Sequence, residues 1–257
     1  MERKESIHEM SDFLLDYAIS LMGAGSHTAR IVRNVVRIAE AGGYEAHLTI
    51  FQKNISMMIK EKSTGETLTG IRRIKPMALN FNIISELSAL SWEAYDQPIS
   101  LSVIRSKYDE IMSIPRLSRW VVLFLVACAN ASFCKLFGGD WIAMLLVFIG
   151  TLVAFFARQE MMKYHFNHFI VFISAAFISS IITAAGVIWS LGDTPQIALA
   201  TSVLFLIPGV PLINSIMDIL EGFVLAGMSR LINATILIIC ISIGLFFTMS
   251  ILGINKL

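Results

Sequence analysis

IALATSVLFLIPGVPLI, residues 197–213, is apolar enough to lie in a bilayer, yet it contains Pro208, Gly209 and Pro211 and is followed by Asn214, Asp218 and Glu221. Whether that interruption is a defect or a device depends on where the run lies. In lipid an unpaired backbone N–H or C=O costs several kcal/mol, so irregular backbone is tolerated only where protein buries it or where it lines a wet cavity.

Composition places the run in lipid. The 257 residues are 56% hydrophobic and 15% charged, with a mean hydropathy of +0.71. Of the 20 Lys/Arg and 19 Asp/Glu, residues 1–119 hold 15 and 14, which leaves five of each for residues 120–257. The chain therefore divides near Trp120 into a soluble-like part and a membrane-like part. The start, MERKESIHEMSDFLLDYAIS, mixes acids with its bases and lacks a compact apolar stretch with a cleavage site, so no signal peptide is expected. Cys128, Cys134 and Cys240 fall inside apolar runs at spacings that fit neither zinc nor redox motifs.

A crossing helix needs about 20 mainly apolar residues. Five stretches meet or approach this: 120–137, 141–157, 169–189, 197–213 and 231–251. Small residues crowd the third (Ser174, Ala175, Ala176, Ser179, Ser180, Ala184, Ala185, Gly186), as in helices packed closely on others. Arg116, Arg119, Arg158, Lys163 and Arg230 fall in one set of alternate loops, Lys135 and Lys256 in the other. The positive-inside rule then predicts a cytoplasmic N-terminal part and a C-terminus on the opposite side. Trp120, Trp141 and Trp189 mark span ends.

The fold expected is an α+β soluble domain over residues 1–118, followed over 119–257 by an all-α membrane domain of five transmembrane helices, the fourth broken at Pro208/Pro211. In the first part, residues 5–23 and 27–41 read as helices with periodic apolar positions, and AHLTIFQ, ISMMIK and TLTGIRRI as three antiparallel strands. NFNIISELSALSWEAYDQ and SLSVIRSKYDEIMSI are two further helices. GAGSHTA (23–29) is not a phosphate loop, because no strand precedes it; Gly23, Gly25 and Ser26 fit a helix stop and an N-cap. Ser26 and His27 are adjacent, point apart and cannot form a nucleophile–base pair. Arg30, Arg33 and Arg37 share one helix face, which is either solvated or in contact with headgroups or a partner. His8, His27 and His47 are scattered, so no metal site and no catalytic residue is assigned; neither cofactor nor nucleic acid is implied.

Within the membrane part, Pro208 and Pro211 each remove a donor, and Gly209 permits an unwound path. A helix resuming after Pro211 carries Asn214, Asp218 and Glu221 at i, i+4 and i+7 on one face. Pro208, Gly209, Pro211 and Asn214 are therefore candidates for a substrate pathway, and Asp218 and Glu221 for proton coupling or gating; the plain alternative is a proline kink with both acids in cytoplasmic water. Lys135, near the far end of the first span, is a further pathway candidate, against simple snorkelling to the interface. Arg158 ranks behind it, since the orientation rule already accounts for it, and so does Asn130.

Three stretches, GAGSHTARIVRNV, IPRLSRWVVLFLVACANASFCKLFGGDW and IPGVPLINSIMDILEGFVLAGMSR, resemble the threonine/serine exporter family, and the likeness covers nearly the whole chain. Long members of that family have about ten spans; this chain is similar to the large subunit of the split members. That resemblance implies a secondary exporter of the bacterial inner membrane carrying succinate or related dicarboxylates, with a small partner subunit of four to five spans. Threonine or serine export is the alternative implied by the long members, and higher oligomers stay open. Independently, a five-span unit has its ends on opposite sides, so a similar unit bound to it is inverted, a recurring transporter design. A membrane-anchored enzyme would need a clustered nucleophile and base, which the sequence lacks. A mere anchor for a sensor has no use for a polar, proline-broken span.

Overall fold

The computed structural model describes residues 6–51, 53–74, 77–97, 99–115 and 117–253. Glu5, Gln52, Arg116 and Lys256, used in the sequence reading, lie outside them. The chain packs as two compact units, Met1–Pro115 with Val210–Ile232, and Arg116–Gly209 with Asn233–Leu257.

The first unit begins with α1 (Ile7–Gly23), started by a reciprocal capping box in which the Glu9 N–H donates to Ser6 Oγ at 3.2 Å and the Ser6 N–H to Glu9 Oε2 at 3.3 Å. Met10, Phe13, Leu14, Tyr17 and Leu21 recur at helical spacing and are all buried. Gly25, at φ +97°, ends this helix by taking the left-handed conformation. Helix α2 (Thr28–Ala41) follows and buries Ile31, Val35 and Ile38. Strands β1 (Tyr44–Ile50), β2 (Asn54–Glu61) and β3 (Thr67–Arg73) form an antiparallel sheet in chain order, with Leu48 opposite Met57 and Ile59 opposite Leu68. The alternation on β2 buries Ile55, Met57 and Ile59 in a core shared with α1, α2, α3 (Phe81–Asp96) and α4 (Leu101–Ser113). The Tyr17 hydroxyl is satisfied inside this core by donating to the Leu87 carbonyl at 2.5 Å.

The α2 start differs from the sequence reading. The cap is His27, not Ser26, and its side chain makes no capping hydrogen bond. A partner distant in sequence takes over that role, as described below. The three arginines of α2 also part company: Arg30 is exposed, Arg33 pairs with Glu221, and Arg37 lies 3.5 Å over the Trp92 ring while donating to Ser91 Oγ at 2.6 Å.

The second unit holds α5 (Arg119–Leu136), α6 (Trp141–Lys163), α7 (His168–Ile188) and α8 (Pro195–Thr201), then a 3-10 turn at Leu204–Leu206. Helix α9 runs Gly209–Leu220 and α10 runs Val224–Ile251. Among the described residues, α5, α6, α7 and α10 are long and apolar enough to cross a membrane, and Pro195–Leu206 with Gly209–Leu220, bent by 58° at the break, raises this to as many as five. Helix α6 continues to Lys163, past the apolar limit of residue 157, because Arg158–Lys163 lack a helix breaker. The bend falls at Ile207–Pro208, at the first of the two prolines, and regular α-helix already stops before it. Helix α8 ends at Thr201, and Pro211 sits in the first turn of α9, where no backbone donor is needed. Hydroxyls add bonds to the last turn of α8: Thr201 Oγ1 donates to Ile197 O and Ser202 Oγ to Leu199 O, both at 2.7 Å.

Candidate functional site

The polar face of α9 is used in full within the first unit. Asp218 is 0% exposed. Its Oδ1 accepts the Thr28 N–H at 2.7 Å and its Oδ2 accepts the Thr28 hydroxyl at 3.0 Å. Asp218 thus supplies the cap that neither Ser26 nor His27 provides, and a carboxylate at a helix N-terminus also meets the positive end of the helix dipole. Arg230 of α10 completes the cluster. Its Nε lies 3.3 Å from Asp218 Oδ2, Nη1 donates to the Ser26 carbonyl at 3.0 Å, and Nη2 points at Met22 Sδ at 2.9 Å.

Asn214 and Glu221 flank this pair one turn to either side. Asn214 Nδ2 donates to the Gly25 carbonyl at 2.7 Å, and Glu221 Oε1 accepts from Arg33 Nη1 at 3.3 Å. Glu221 Oε2 lies 3.2 Å from His27 Nδ1, yet that nitrogen is not aligned to make a hydrogen bond. The segment GAGSHT is therefore a docking site for the α9–α10 hairpin: its carbonyls meet donors, and its free N–H meets a carboxylate. Residues Asn214, Asp218 and Glu221 meet there; Thr28 and Arg230 join them, and sequence reasoning had assigned neither to a site. The only advance signal was the unpaired charge of Asp218 in an apolar stretch, which demands a cation somewhere in the fold.

Burial lowers the His27 pKa, with Arg30 and Arg33 acting in the same direction against Glu221 and Asp218. The folded chain thus resists a proton that the unfolded chain accepts near the ordinary histidine value of about 6.5. The stabilisation is complete above that value and is lost as pH falls through the lower, folded pKa. The thermal midpoint is expected to fall on acidification from about pH 8 to 5. His27→Gln should remove part of that fall, and an identical pH profile in the variant would exclude this histidine as a contributor.

In the second unit, Asn130 of α5, Thr151 of α6 and Ser179 of α7 lie near the middle of their helices and meet Ser202 at the end of α8. Asn130 Nδ2 donates to Thr151 Oγ1 at 2.8 Å and Ser179 Oγ to the Ser202 carbonyl at 2.7 Å. Asn130 Oδ1 is buried without a partner among the described residues. Polar groups so placed in apolar helices are costly unless used. Pro208 is buried, and a Cβ added at Gly209 would meet nothing within 4 Å. Lys135, in the last turn of α5, is exposed; its ammonium lies 3.4 Å from the Gly139 carbonyl and 5.3 Å from the Trp141 ring centre. Beside it Asp140 caps α6 through the Ala143 N–H at 2.6 Å and holds the Asp193 N–H at 2.5 Å.

The family model described as "Putative threonine/serine exporter" matches residues 12–252, from within α1 to the end of α10. The chain belongs to that family. It is 27% identical over 241 residues to "Probable succinate transporter subunit YjjP" of Klebsiella aerogenes, covering 93% of this chain and 92% of the relative. The protein of that name in Escherichia coli K12 is 27% identical over 238 residues, covering 91% of each chain. "Probable threonine/serine exporter" of Mycobacterium tuberculosis is 21% identical over 93% of this chain, which spans 45% of that longer relative. No solved structure matches. Family membership and the long apolar helices together make the chain a multi-pass inner-membrane protein of an exporter family.

Proposed function

We propose that the chain is the large subunit of a two-subunit secondary exporter that carries succinate or a related dicarboxylate out of the bacterial cytoplasm. The observation that carries this reading is the 58° bend between Pro195–Leu206 and Gly209–Leu220, with non-helical backbone between the two helices. Discontinuous helices of this kind build substrate sites in transporters, because freed backbone groups become ligand-binding groups. Counting the bent pair as one crossing gives five, with the N-terminal part cytoplasmic and the C-terminus opposite, in keeping with Arg119, Arg158, Lys163 and Arg230 against Lys135. Five crossings make half of an inverted pair; a small membrane partner of four to five spans supplies the other half. The relatives named as succinate transporter subunits support both the substrate and the partner.

In this reading Pro208, Gly209, Pro211 and Asn214 border the pathway, and Lys135 offers a counter-charge at its far end. Asp218 and Glu221 gate it: α9 is held to the α1–α2 turn by their contacts, so releasing these contacts frees the second half of the broken helix. Export of threonine or serine is the second reading, favoured by the Mycobacterium relative.

Efflux from cells preloaded with labelled succinate or threonine decides between them. Succinate efflux is expected only when this chain and its small partner are expressed together. Efflux by this chain alone would exclude the obligate partner, and efflux of threonine without succinate would exclude the dicarboxylate.

A further inference from the structure

We infer that Arg158 is the residue that binds a carboxylate group of the transported solute; the inference rests on the export reading above. Thr151, Phe155 and Arg158 stand at i, i+4 and i+7 on α6 and so share a face. That face points at the interrupted segment: Thr151 is joined through Asn130 to the cluster at Ser202, and the Phe155 ring meets Phe205 edge to face at 6.2 Å. Arg158 is next in the series. Its guanidinium lies 5.3 Å from the ring centres of both Phe155 and Phe172, and both rings are buried. Phe172 in turn packs with Val203 and Leu206 of the interrupted segment.

An arginine that only marks the cytoplasmic end of a span keeps its head in water or pairs there. Arg119 does this, 46% exposed in its side chain and 2.7 Å from Glu160. Arg158 does not. Its Nε is out of solvent and makes no hydrogen bond, and among the described residues no carboxylate pairs with it. Aromatic faces ease the burial of a guanidinium but leave its N–H donors unmet. The complement that meets them is a planar anion able to accept two parallel N–H bonds, which is a carboxylate. Succinate and threonine both carry one, so the assignment is to the shared group and does not depend on which solute is exported.

The test uses the full chain co-expressed and purified with its small membrane partner, with succinate, threonine and the neutral analogue succinamide as probes. Two quantities are read: the ligand-induced rise in melting temperature, and the KM for efflux. A carboxylate probe is expected to raise the wild-type melting temperature while succinamide does not. Arg158→Gln should raise the half-saturating concentration and the KM at least ~10-fold, as expected for a lost charge-assisted pair. Arg158→Lys, which keeps the charge but not the fork, should fall between the two. Unliganded melting temperatures of both variants separate loss of binding from loss of folding. Unchanged half-saturation in Arg158→Gln, or no response of the wild type to any carboxylate, overturns the inference. Arg158-dependent binding without efflux supports the inference and counts against the export reading; efflux with Arg158-independent KM does the reverse.

Discussion

Asp218→Ala is expected to destabilise the first unit by about 3–5 kcal/mol, the usual cost of stripping one partner from a buried charge pair. The substitution removes two hydrogen bonds to Thr28 and the ion pair with Arg230 at once, and it leaves the α2 N-terminus without a cap. The Arg230 side chain, only 16% exposed, would keep its bond to Ser26 but lose its counter-charge. Thermal unfolding of the purified chain measures the loss. The double variant Asp218→Ala/Arg230→Met should cost clearly less than the sum of the single ones, because removing both charges leaves neither buried alone. Strict additivity would mean that the pair is not coupled. Under the gating reading, Asp218→Ala protein that still reaches the membrane should also show altered flux.

The second large effect is steric. Gly244 of α10 lies so close to α7 that an added Cβ would stand 2.5 Å from the Ile173 carbonyl, 2.7 Å from Ala176 Cβ and 2.9 Å from the Phe177 nitrogen. Two of the three are backbone atoms, so relief requires moving a helix. Gly244→Val is expected to cost about 1–3 kcal/mol or more, and to separate Ser180 from Thr248, whose hydroxyls lie 2.6 Å apart next to this contact. Melting in detergent, with Gly209→Ala as comparison, checks it. At Gly209 the added methyl meets open space, so that variant should melt like wild type. Normal melting of Gly209→Ala with reduced efflux would support the proposed role of Gly209 in the pathway; wild-type melting of Gly244→Val would refute the close contact.

The apolar runs told most about the helices of the second unit. A run of about 20 apolar residues has few alternatives to a helix in lipid, and α5, α7 and α10 overlap the runs from which they were expected. Alternation in ISMMIK and the glycine-containing turn after it, EKSTGET (61–67), were likewise enough for β2 and its neighbours, since a two-residue period places one face in the core. Local signals were weaker at boundaries. Helix α6 outran its apolar stretch, and α8 ended at Thr201 although the prolines begin at Pro208.

By itself, then, the sequence determined the class of the protein, its long helices, the three-stranded sheet and the shared face of Asn214, Asp218 and Glu221. These depend on periodicity and on solvent, both of which are local properties of the chain. Only the tertiary structure decided what that face meets. The Thr28 N–H and the Asp218 carboxylate are 190 residues apart in sequence, and no local pattern encodes a cap supplied from that distance. The same holds for Arg158: its place at a span end is legible as a charge bias, but its desolvation between Phe155 and Phe172 follows from the packing of α6 on α7.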